Sequence, residues 1–153
     1  MNIIFHALLA LLLAKLLGIS SIPDILIGVL FSVFPDFDHV RYLKKAFKTG
    51  RFGVESRSPF HEIIGIIFVL SGSLVVKVVY SHLFLLVLSC GLSHFVVDFL
   101  TRSCRPLYPF SNKEIDLNLY PKGLKEMFVY DTILTIALGL IYATITLICS
   151  EVL

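Results

Sequence analysis

His94 and Asp98 lie four positions apart inside the apolar run Leu83 to Leu100. On a helix that spacing turns both side chains to one side, one turn apart, where they can serve one ion or two neighbouring ones. Asp36, Asp38 and His39 form a second knot of donors immediately after Pro35. Two carboxylates so close repel each other, and a cation would relieve that conflict together with the cost of desolvating them. His6 stands one turn into the first apolar run, His61 and Glu62 open another, and Asp131 is about one turn into the last. Imidazoles mixed with carboxylates suit zinc, with manganese or iron as alternatives, better than the oxygen-only shells that calcium and magnesium prefer. The metal-ligand set read from the residues is His6, Asp36, Asp38, His39, His61, His94 and Asp98, enough for one ion or two. Glu62 and Asp131 are candidates for a general base or for groups that orient the ligands. Arg57, Arg102 and Arg105 flank the set, where guanidinium groups suit a phosphate.

Each of these residues also has an ordinary structural use. A buried histidine such as His6 can simply hydrogen-bond between helices, and Asp131 can do the same. Asp98 can pair with Arg102 four residues on, and Asp38 with Arg41. Arg57, Arg102 and Arg105 can serve topology alone. What favours a joint site is depth: ionisable residues within membrane spans are costly, and independent structural uses would not require them all at one level.

The elements that must position them follow from hydropathy. The chain is 57% hydrophobic and only 16% charged, well beyond what a soluble domain of 153 residues needs for its core, so its solvent is largely lipid. Ile3 to Ile19, Phe60 to Tyr80, Leu83 to Leu100 and Met127 to Cys149 read as spans. Ile22 to Phe34, opened by Pro23 and Asp24, is a short or half-spanning helix. Ser58 is the expected N-cap of the third span with Pro59 at its first helical position, and small Gly65 and Gly91 would let helices approach closely near His61 and His94. The expectation is an all-α, polytopic membrane helical bundle, residues 1–153 forming a single integral-membrane domain. A signal peptide is a weaker reading of the first run, because no basic segment precedes it and a second apolar run follows at once. Cys90, Cys104 and Cys149 are scattered, which argues against disulfides and against a cysteine zinc site.

Basic residues gather in two connections, Arg41 to Arg57 and Arg102 to Lys125, and the positive-inside rule places both in the cytoplasm. The N-terminus and the candidate site are then cytoplasmic and the C-terminus outside, in a multi-pass protein of the cell membrane. Within the first connection Val40, Leu43 and Phe47 alternate with Arg41, Lys44, Lys45 and Lys48 at helical spacing. This pattern suits an anionic lipid surface as well as plain topology. Membrane lipid is the expected partner, and no nucleic acid is expected.

These residues resemble a family, the membrane-bound metal-dependent hydrolases related to the LexA-regulated inner-membrane protein YdjM. The resemblance covers most of the chain. It rests on His6 in the first span, the P-D-x-D-H segment Pro35 to His39, the R-x-x-x-H segment Arg57 to His61, the H-x-x-x-D helix end His94 to Asp98, then Thr101 and the proline-aromatic stretch Pro106 to Phe110. Order and spacing carry it more than any one motif. The chain has Ser56-Arg57-Ser58 where the family often has His-Arg-Gly, Phe60-His61-Glu62 for Thr-His-Ser, and Arg102 and Cys104 for the usual Pro and Gly. All these changes leave the candidate ligands in place. The pattern also looks distantly like zinc-dependent phospholipase C. What the resemblance implies is a hydrolase, acting at the membrane interface on a substrate such as a lipid phosphoester. The residues themselves leave two other readings open: a metal-ion or proton transporter, since buried His and Asp also mark ion paths, and a noncatalytic scaffold whose polar residues hold helices together.

Overall fold

The computed structural model of the chain describes residues 2–38, 59–117, 119–121 and 123–151. His39, Arg57, Ser58 and the amphipathic segment 40–48 lie outside the described residues, as does the side chain of Asp38. Among the described residues five α-helices follow one another: α1 (Ile3–Leu16), α2 (Ile22–Val33), α3 (Ile63–Val79), α4 (Phe84–Thr101) and α5 (Leu124–Glu151). Among the described residues there is no strand, only a single antiparallel bridge between Cys104 and Ile115 in the α4–α5 connection.

Local chemistry sets the helix ends. Asn2 caps α1 by accepting the Phe5 N–H at 2.8 Å, and its own amide reaches Thr135 of α5 at 3.2 Å. Gly18, at φ 70°, closes α1, with the Ile19 N–H returning to the Ala14 carbonyl at 2.9 Å. Pro23 and Asp24 occupy the first turn of α2. That helix then tightens into a 3₁₀ turn at Phe34–Asp38, because Pro35 offers no N–H to continue the α-helical ladder.

The start of α3 departs from the sequence reading. Pro59–His61 is a separate 3₁₀ turn, Glu62 has an extended backbone, and the α-helix begins only at Ile63. Gly65 permits this: a Cβ there would lie 1.8 Å from the Phe60 carbonyl oxygen and 2.7 Å from the edge of Phe95. The absent side chain lets the 3₁₀ turn fold down onto the helix, which brings His61 inward.

Helix α4 is central, packing against α1, α2 and α3, while α5 packs along α1. The α3–α4 crossing is tight at Gly91, whose Cβ would lie 2.5 Å from Val69 Cγ1. The distribution of residues is inverted relative to a soluble protein. His6, Ser32 and His94 are fully buried, and Asp36, His61, Glu62, Asp98 and Asp131 are buried, while large apolar residues such as Ile22, Val78, Phe128, Leu140 and Leu147 face outward. Two helical stretches, Ser81–Thr101 and Lys125–Cys149, are long and apolar enough to cross a bilayer, and α1 and α3 are shorter apolar helices. Almost none of the Lys125–Cys149 stretch is fully buried, and apart from the face packed on α1 the helix is exposed to its surroundings.

Candidate metal centre

Buried polar side chains from four segments converge at one end of the bundle. His94 and Asp98 come from α4, His6 from α1, Asp36 from the turn after α2, and His61 from the turn before α3. Two overlapping triads result, His6–His94–Asp98 and Asp36–His61–His94, in each of which one ligand atom per residue lies within 4.8 Å of the others.

The separations are informative. His6 Nε2 is 3.6 Å from Asp98 Oδ1, and His61 Nε2 is 3.6 Å from Asp36 Oδ1. His94 Nε2 is 4.0 Å from both Asp36 Oδ1 and Asp98 Oδ2. These gaps exceed a hydrogen bond. They lie near the edge of a ligand tetrahedron, about 3.3 Å when ligands stand about 2.0–2.1 Å from zinc. His6 Nδ1 and Nε2 and His94 Nε2 are buried with no hydrogen-bond partner among the described residues. Polar atoms left so in an apolar bundle are expensive unless something binds them.

His94 is oriented by its other nitrogen. Nδ1 lies 2.7 Å from the Ser32 carbonyl, which fixes it as the N–H donor and leaves the Nε2 lone pair directed at the two carboxylates. That carbonyl is available because α2 ends one residue later, leaving its last carbonyls without helical partners. The Ser32 hydroxyl donates to the His6 carbonyl at 2.9 Å, and the His6 and His94 rings stack with centroids 4.0 Å apart. Ser32 is a site residue that spacing does not reveal; its only signal is a lone hydroxyl in an apolar run just before Pro35.

Other candidates fall outside both triads. Glu62 is buried beside His61, and its Oε1 accepts the Arg105 N–H at 2.9 Å, fastening the α4–α5 connection over the start of α3. Asp131 accepts the Tyr120 hydroxyl and lies 4.0 Å from Arg102, so it ties α5 to the connection that precedes it. Burial, and after it the hydrogen bond to Asp131 and that group's negative charge, raise the Tyr120 phenol above its ordinary range. The Arg105 guanidinium stacks on Tyr108 at 4.3 Å.

An apolar surface around a core of buried histidine and aspartate defines a helical membrane protein with a polar centre. The chain belongs to the YdjM inner membrane protein family, whose model matches residues 1–152. No curated protein and no solved structure matches it.

Proposed function

We propose that this chain is a membrane-embedded metal-dependent hydrolase, with a divalent cation held where the triads His6–His94–Asp98 and Asp36–His61–His94 meet at His94. The observation that carries the reading is His94: buried, aimed by the Ser32 carbonyl, and offering an unpartnered Nε2 equidistant from two carboxylates. Three imidazoles and two carboxylates suit zinc, with manganese or iron as alternatives, and a dication would balance the charge of Asp36 and Asp98. Because His94 has only one nitrogen to offer, a second ion would have to be held without it. Asp38 and His39 remain candidates for such a site on their spacing alone.

A bound cation of this kind acidifies water and polarises a scissile bond. The protein's own groups supply the rest. Asp36 and Asp98 would set the charge of the centre, Glu62 is the carboxylate beside His61 placed to take a proton, and Arg105, joined to Glu62 through its backbone N–H, would be the phosphate partner. Arg57 and Arg102 are weighed as phosphate partners on spacing alone, Arg102 being turned toward Asp131. Asp131 acts as a tether. A lipid phosphoester is the substrate class favoured by a polar centre at membrane depth.

The same reading makes the protein multi-pass, with four crossing helices and α2 as a short fifth. Twelve α-helical residues and the 3₁₀ turn after them extend about 28 Å, close to the hydrocarbon thickness. The basic connections then lie in the cytoplasm with the N-terminus and the centre, and the C-terminus lies outside. An ion path is disfavoured because the neighbouring core, Ala10, Ala14, Leu83, Leu86 and Cys90, is apolar.

Protein in nanodiscs charged with zinc, manganese or iron should cleave a chromogenic phosphodiester that carries an alkyl chain, and Asp98→Asn should abolish the cleavage. Zinc flux in proteoliposomes without ester cleavage would overturn the proposal in favour of transport.

A further inference from the structure

A cavity of about 300 Å³ opens between α3, α4 and the start of the α4–α5 connection, and its walls are almost wholly apolar. His61 and Asp98, one from each triad, line it together with Glu62. From there it runs along Leu92, Phe95, Val96 and Phe99, which recur at helical spacing on a strip of α4 adjoining the one that carries His94 and Asp98. Val96 and Phe99, 56% and 37% exposed, form an outer rim, so the cavity opens sideways on the apolar outer face of the bundle. Further along the same two helices the contact of Gly91 with Val69 closes the α3–α4 groove.

A polar centre at one end and an apolar, laterally open cavity leading from it match an amphiphile, with its head at the carboxylates and imidazoles and its tail between α3 and α4. The volume is at the lower end of small-ligand cavities, roughly 300–1,000 Å³, which fits one hydrocarbon chain better than two. Resting on the hydrolase reading above, we infer that this cavity seats a single hydrocarbon chain of the substrate, entering from the bilayer, and that Leu92 sets how much chain is accepted. The polar bond to be broken then lies beside His61 and Asp98, and a water-soluble phosphoester without a chain would be a poor substrate.

The test uses the full chain in nanodiscs with zinc and a dodecylphosphonate carrying a diazirine near its chain end. Photolabelling should concentrate on peptides containing Ile66 and Leu92 to Phe99, and unlabelled dodecylphosphonate should compete while dodecanol does not. Leu92→Trp fills the cavity and should reduce this labelling at least about fivefold. Leu92→Ala, which empties space, should retain the labelling and guards against a misfolded tryptophan variant. Labelling spread over α5, unchanged labelling in Leu92→Trp, or equal competition by dodecanol would each overturn the inference. Zinc, manganese and iron content measured on the same samples tests the centre separately: protein that takes up none of the three would sink the hydrolase reading, while the labelling pattern still decides whether the cavity takes a chain.

Discussion

Replacing Gly65 by alanine adds one methyl group where the turn carrying His61 meets α3. The new Cβ would stand 1.8 Å from the Phe60 carbonyl oxygen, whereas real Cβ contacts stay beyond 3.0 Å. The carbonyl must therefore retreat by at least about 1.2 Å, and because it belongs to backbone it takes the adjoining His61 with it. His61 Nε2, now 3.6 Å from Asp36 Oδ1, would leave the range in which both can hold one ion. Displacement of a positioned group by about 1 Å typically costs about 100-fold in activity, and a comparable loss of metal affinity is expected here. Overpacking should also destabilise by about 1–3 kcal/mol, more than the gain of about 1 kcal/mol from alanine's helix propensity. The assay is zinc retained against a graded chelator series, with helix content followed by circular dichroism. Gly139→Ala is the matched control, since a Cβ there meets only Leu8 Cδ1 at 3.9 Å, and it should behave as wild type. A Gly65→Ala protein that holds zinc as tightly as wild type would refute this account of how His61 is placed.

Asp98→Asn keeps the shape of the side chain but removes charge from the triad with His6 and His94, so bound zinc in purified protein should fall at least about tenfold. Asp131→Asn should leave zinc content unchanged. It should also lower the pH at which Tyr120 ionises, read by the phenolate absorbance against a Tyr120→Phe blank, because the carboxylate disfavours the phenolate. Glu62→Ala should free the backbone N–H of Arg105 and speed its hydrogen exchange, whereas Glu62→Gln, which retains an acceptor, should not.

Much of the centre was legible because its residues obey local rules. His94 and Asp98 converge as the helical spacing requires, the break at Pro35 presents Asp36, and Gly65 and Gly91 both mark close approaches. The partnership of His6 with Asp98 depends on the packing of α1 against α4, which no spacing encodes. The start of α3 lies beyond the point that Ser58 and Pro59 suggest, because Pro59 opens a 3₁₀ turn and Glu62 adopts an extended backbone before the α-helix begins. Asp131 shared the depth of the others, but depth fixes only one coordinate. Arg102 leaves α4 in an extended conformation and turns toward Asp131, so α5 is anchored through the connection that precedes it. Ser32 carries little signal in the sequence because its chief contribution is a backbone carbonyl, which any residue type would offer.

On the proposed reading five buried side chains, with His94 at their junction, form a metal centre. Elemental analysis of protein purified without chelator, alongside His94→Gln, is the decisive measurement. About one equivalent or more of zinc, manganese or iron in wild type and a loss of at least about tenfold in His94→Gln are expected. Metal-free wild type that stays folded and takes up none of these ions when offered, or undiminished metal in the variant, would contradict it.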